Sequence, residues 1–189
     1  MTISKIKAVV QLAVFFSAVS YSAFSMAAVN VSLEVVDGAN GKVLQVVSND
    51  KPCNDAGSSN SGCIKVAPNT KPKMYFKLPG SCGRWGYRLS QFRIVEEDPA
   101  WPGGKPSSSD WPSRSNPLDR EVAKDFCADE NSGIVDFMGC NNRRTNQLMM
   151  FKNDNNVQVD LFYQITAVSC TNSSDEITFD PLIKNGGRR

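Results

Sequence analysis

Histidine is absent from all 189 residues, which removes imidazole as a base, an acid or a metal ligand. Ser-His-Asp and Cys-His catalysis are excluded with it. The six cysteines include no C-x-x-C pair, so a zinc site has no plausible ligand set either. Internal repeats are missing as well. The formal charge of +2 has a local origin: setting aside Lys5 and Lys7 reduces the 21 basic residues to the same number as the 19 acidic ones. A formally neutral chain offers no support for a nucleic-acid or anionic-membrane partner.

What the chain does contain begins with the three-part plan of a secretory leader. Lys5 and Lys7 precede an apolar run from Ala8 to Phe24, which Gln11 and hydroxyl residues interrupt, and Ser25-Met26-Ala27-Ala28 supplies small residues for cleavage before Ala28. The run is short for a retained membrane anchor. The expectation is a signal peptide at 1–27, one domain at 28–189, a periplasmic or secreted location, and no membrane association once the leader is removed. All of Cys53, Cys63, Cys82, Cys127, Cys140 and Cys170 follow the leader, and an even count in an oxidising compartment reads as three disulfides. Spacing alone leaves every connectivity open. The short loop favours Cys53 with Cys63, and the remainder favours Cys127 with Cys140 and Cys82 with Cys170, although counting strand directions equally permits Cys140 to pair with Cys82 or Cys170.

The pattern that organises the chain is VQVDLFYQITAVS, Val157 to Ser169. Leu161, Tyr163, Ile165 and Ala167 continue the side begun by Val157 and Val159, which is period-two alternation and predicts a half-buried strand. Val29–Val36 and Lys42–Val47 flank Asp37-Gly38-Ala39-Asn40-Gly41, a hairpin signal. Further strands are predicted at Cys63–Ala67, Lys73–Leu78, Trp85–Ile94 with a bulge near Gln91, Ile134–Met138, Leu148–Lys152 and Glu176–Asp180. Leu118–Phe126 has the content for one or two helical turns. Between Glu97 and Asn116 neither period holds; four prolines, a serine run, Trp101 and Trp111 predict a long surface loop. These elements together predict an all-β, antiparallel, immunoglobulin-like β-sandwich, disulfide-crosslinked, with one long Pro/Ser/Trp loop.

The tyrosine-bearing strand with Tyr163 and Ile165, followed by Asp180-Pro181-Leu182-Ile183-Lys184-Asn185, resembles small bacterial immunoglobulin-like sandwich proteins of the DP-EP kind, which close on D-P-x-I-x-N. The resemblance implies a fold and no assigned activity.

With histidine and free thiols gone, catalysis falls to carboxylates. Glu96, Glu97 and Asp98 at the mouth of the tryptophan loop, with Asp160, are the candidates for a glycosidase pair. Adjacent acids at a strand end are ordinarily solvated, and no catalytic residue is assigned. Asp129, Asn131 and Gly133 share the spacing of a calcium loop but lack its closing glutamate, so a plain turn is expected. Arg143 and Arg144 read as a solvated loop tip. Trp101 and Trp111, with Trp85 and Tyr87, are the candidate ligand-binding set: flat aromatics on a proline-stiffened loop suit sugar rings or a protein anchor, against the plainer reading that the indoles fold back to cover an open end of the sandwich. The sequence therefore predicts a secreted, non-catalytic binding or structural module without cofactor or metal, its partner a glycan or protein at the tryptophan loop. The alternative is a carbohydrate-active accessory or hydrolase.

Overall fold

The computed structural model describes residues 28–53, 62–98, 100–101 and 106–187; the leader expected at 1–27 lies outside them. The chain opens with β1 (Ala28–Gly38) and β2 (Gly41–Asn49), an antiparallel hairpin closed at Gly38 and Gly41 by the two-residue turn Ala39-Asn40. Alternation decides which face goes inside: Val29, Val31, Leu33 and Val35 are buried, as are Leu44 and Val46 of β2. β4 (Lys73–Lys77), β7 (Leu148–Lys152) and the two-residue β6 (Arg143–Arg144) complete a sheet of order β2-β1-β4-β7-β6. The second sheet runs β3-β10-β8-β5, from β3 (Ile64–Val66), β10 (Leu182–Gly186), β8 (Gln158–Ser169) and β5 (Tyr87–Glu96). β9 (Glu176–Phe179) pairs with the C-terminal half of β8, and β10 pairs with its N-terminal half.

The two sheets face each other across one hydrophobic core in a sandwich-like arrangement. At its centre are four rings, two from each sheet. Phe76 and Phe151 meet Phe92 and Tyr163, with Phe76–Phe92 at 5.0 Å, Phe92–Phe151 at 4.5 Å and Phe76–Tyr163 at 5.3 Å between centroids. Such pairs add about 0.5–1.5 kcal/mol each beyond their area. The short helix α1 (Arg120–Phe126) starts where Asp119 accepts hydrogen bonds from the Glu121 and Val122 amides, and its Phe126 ring lies 6.2 Å from that of Phe151.

Three expectations are corrected. Not every pairing is antiparallel, for β1–β4 and β3–β10 are parallel. The physical reason is that the chain leaves the first sheet after β2, crosses to β3, and returns on the far side of β1 in the same direction. Ile134–Met138 is not a strand. Gly133, at φ 66°, brings its backbone so close to β5 that an added Cβ would sit 2.1 Å from the Ile94 oxygen, and only the bridges Arg93–Ile134 and Ala128–Val135 form before Asp136 turns the chain. Arg143 and Arg144 are a short strand on β7 rather than a loop tip, because the Arg144 guanidinium reaches across to the Ser90 carbonyl of β5.

The expected bulge in β5 is present between Leu89 and Gln91. All three favoured disulfides form, Cys53–Cys63, Cys82–Cys170 and Cys127–Cys140, and no cysteine is free. Three crosslinks speak for an oxidising, extracytoplasmic environment. Among the described residues no helix is long and apolar enough to cross a membrane.

Two stability predictions follow from crosslinks and burial. The Cys82–Cys170 bridge spans 88 residues against 10 for Cys53–Cys63, so by loop closure it stabilises by about 4–5 kcal/mol against about 2–3. Denaturant unfolding of the two paired Cys→Ala variants is expected to show that order. Tyr163, completely buried and donating to the Gly62 carbonyl at 2.7 Å, has its phenol pushed well above its ordinary pKa by burial. Above about pH 10 the unfolded chain releases a proton that this phenol keeps in the fold. The unfolded state then binds fewer protons, and stability falls as pH rises. Tyr163→Phe is expected to flatten the alkaline limb of urea midpoints, while costing about 1 kcal/mol at neutral pH through the lost hydrogen bond.

Candidate functional site

The outer face of the second sheet carries a second apolar cluster, Val95, Trp111 and Phe162, with Trp101 and Leu182 packed beside it. It exists because β8 is apolar on both sides at Phe162, so one residue of the alternation needs cover from outside. Past the end of β5, the Glu97 amide donates to the Asp160 carbonyl, and Asp98 then folds an Asx turn by accepting from the Ala100 amide at 2.8 Å. That turn lays the Trp101 ring 5.6 Å from Phe162. When the chain returns, Asp110 accepts from both the amide and the hydroxyl of Ser107, at 2.7 and 2.6 Å. Trp111 follows at 7% exposure, with the Arg93 guanidinium 4.5 Å from its ring centroid.

Between these segments lies a cleft of about 390 Å³. Val95, Pro112, Pro117 and Leu118 form its apolar part, Trp101 lies on one side, and Glu96, Glu97, Asp98, Asp110 and Asn116 supply oxygens. Among the described residues its lining contains no lysine or arginine. The carboxylates are positioned by the fold: Glu96 accepts from the Asp119 amide at 2.9 Å, which ties the cleft to the start of α1. The Asp110 carboxyl is held below its ordinary pKa by the Ser107 hydroxyl and amide, against a smaller opposing effect of burial. Such a surface accepts hydrogen bonds and repels anions.

No family model matches the chain, and no curated protein does.

The four aromatic residues singled out in the sequence do not converge. Trp111 is structural cover, with its ring sandwiched in the outer cluster. Trp85 and Tyr87 sit at the opposite end of β5: the indole nitrogen donates to the Pro79 carbonyl at 2.7 Å with Arg84 at 4.3 Å from the ring, and the Tyr87 hydroxyl donates to Asp175 at 2.8 Å. That hydrogen bond, with burial and the Asp175 charge, raises the Tyr87 pKa. Only Trp101 lines the cleft. The indoles fold back, as the plainer reading had it, but onto the outer face of a sheet rather than over an open end. Asp129 caps a plain turn, accepting from Asn131 and Ser132. Asp110 and Asn116 carried no sequence signal beyond turn propensity, because what makes them functional candidates is that the fold brings them to one cleft with Trp101.

Trp111→Ala is expected to cost about 3 kcal/mol in denaturant unfolding, as a large ring lost from a packed site. Trp101→Ala, half-buried at the cleft rim, is expected to cost about 1 kcal/mol.

Proposed function

We propose that this protein is an exported, non-catalytic binding module of immunoglobulin-like architecture, working in the periplasm or outside the cell. Its ligand is a neutral or amine-bearing oligosaccharide, and its site is the cleft beside Trp101. The observation that carries this reading is the lining: four carboxylates, an amide and one accessible indole, with no basic side chain among the described residues. Sugar hydroxyls and amines donate to such oxygens, and a sugar ring has an apolar face for the indole. The phosphates of nucleic acid meet like charge in the described lining of this cleft. The architectural part is supported by the closing D-P-x-I-x-N segment, whose Asn185 is buried and binds Asn153 and the Val157 carbonyl.

The hydrolase alternative needs a carboxyl that stays protonated to act as general acid. Three of the four lining carboxyls are poorly suited to that: the depressed Asp110 carboxyl is the reverse of it, and Glu96 and Asp98 are engaged with backbone amides.

Tryptophan fluorescence titrations with neutral, amine-bearing and uronic-acid oligosaccharides test the reading. Saturable binding of the first two and rejection of the third is expected, with Trp101→Ala and Asp110→Asn each weakening it about tenfold. Equal binding of uronic acids, or indifference to Trp101→Ala, would overturn it, and sugar products released in the same mixtures would move the protein to the hydrolase class.

A further inference from the structure

At the opposite end of β5 the chemistry inverts. The bulge between Leu89 and Gln91 leaves Ser90 out of register with β8, so Ser90 and Gln91 follow Arg88 on the outer side of the strand. β6 arrives alongside. The Asn146 carbonyl accepts from the Leu89 amide at 3.0 Å, and the Arg144 guanidinium donates to the Ser90 carbonyl with the Phe137 ring 5.9 Å away. The junction of the two sheets is thus a small cleft of about 250 Å³ lined by Arg88, Leu89, Ser90, Arg144, Thr145 and Asn146.

Two arginines therefore line one cleft, and none of its described lining residues is acidic. No described carboxylate forms an ion pair with either arginine, although the same chain pairs Lys42, Lys71, Lys124, Lys152 and Arg120 with acids. Arg144 also borders a separate cleft that contains Asp129 and Asp136, without an ion pair to either, and Glu176 lies two strands across the sheet from Arg88 through Val168. Arg144 donates to the Ser90 carbonyl, which places its planar fork beside this cleft. Thr145 accepts from the Gln147 amide through its hydroxyl oxygen, which leaves the hydroxyl proton to donate.

We propose that the Arg88–Arg144 cleft binds a tetrahedral oxyanion, a phosphate or sulfate group, with the two guanidinium groups as charged donors and the Ser90 and Thr145 hydroxyls as neutral ones. Planar guanidinium forks match such oxygens geometrically. The site is separate from the acidic cleft, at the other end of a ten-residue strand, and stands or falls independently of it.

Amide chemical shifts of the purified protein, titrated with inorganic phosphate, inorganic sulfate and glucose 6-phosphate at constant ionic strength, test this. Saturable shifts confined to Ser90, Thr145, Asn146 and their neighbours are expected. Arg88→Gln should weaken them about tenfold, while Arg120→Gln, an equal loss of charge elsewhere, should leave them unchanged. Tighter binding of the ester than of free phosphate would assign the group to a carbohydrate, and equal binding would assign the free ion. Arg144→Gln is a second variant; should it disturb folding, Arg88→Gln alone decides. Shifts that chloride reproduces, or affinity that Arg88→Gln leaves intact or Arg120→Gln reduces as much, would overturn the proposal.

Discussion

The connection from β7 to β8 must carry backbone from one sheet to the other through the interior, where polar groups find no water. Asparagine solves this locally. Asn153 and Asn155 are completely buried; the Asn153 side chain accepts from the Asn155 amide and donates to Asn185, while Asn155 donates to the Ala67 and Thr70 carbonyls and accepts from the Gly187 amide. Asp125 of α1 completes the set by accepting from the amides of Asn156 and Val157 at 2.6 and 3.0 Å. One turn thereby joins β10, the β3–β4 connection and the helix. Each unsatisfied member would cost about 1–3 kcal/mol, so the group behaves as a unit. Asp154, pushed up by burial but held below its ordinary pKa overall by Lys152 and Lys71, fastens the turn from its solvent side.

With that corner set, β5 is the strand on which both candidate sites hang. Its free edge is not left open. The Asn146 carbonyl, the Gly133 carbonyl and the Val135 amide bond to Leu89, Ile94 and Phe92 in turn, and Arg144 takes the Ser90 carbonyl. An exposed edge invites pairing with other chains, and here loop backbone occupies it. The same occupancy brings chemistry to the strand's ends: arginines gather where β6 meets the bulge, and carboxylates gather where the strand gives way to the proline-rich segment.

The strands were legible wherever one face is buried and the other wet. Val29–Val35, Met74–Phe76 and Leu161–Ala167 announce themselves by alternation, and the slip from Leu89 to Phe92 announces the bulge. Parallel pairings were not legible, because they depend on where the chain crosses between sheets and leave no trace in local periodicity. Ile134–Met138 misled because its apolar content serves bridges and packing, with Met138 itself 99% exposed. The cleft was half visible. Trp101 and the acids stood out by type, whereas Trp111 was indistinguishable from a ligand-facing indole until Phe162, on the supposedly solvent side of β8, was seen to need covering. The buried asparagines read as an ordinary turn, since composition cannot say which side of a turn faces inward.

The Cys53–Cys63 bridge has a consequence of another kind. The Cys53 amide donates to the Cys63 carbonyl and the Lys65 amide to the Lys51 carbonyl, so both ends of the bridged segment are held to each other and to β10 through β3. A protease cutting anywhere between the two cysteines would produce a nicked molecule still joined in one covalent piece, with every strand of both sheets retained. Damage at that point severs the chain without dismantling the protein.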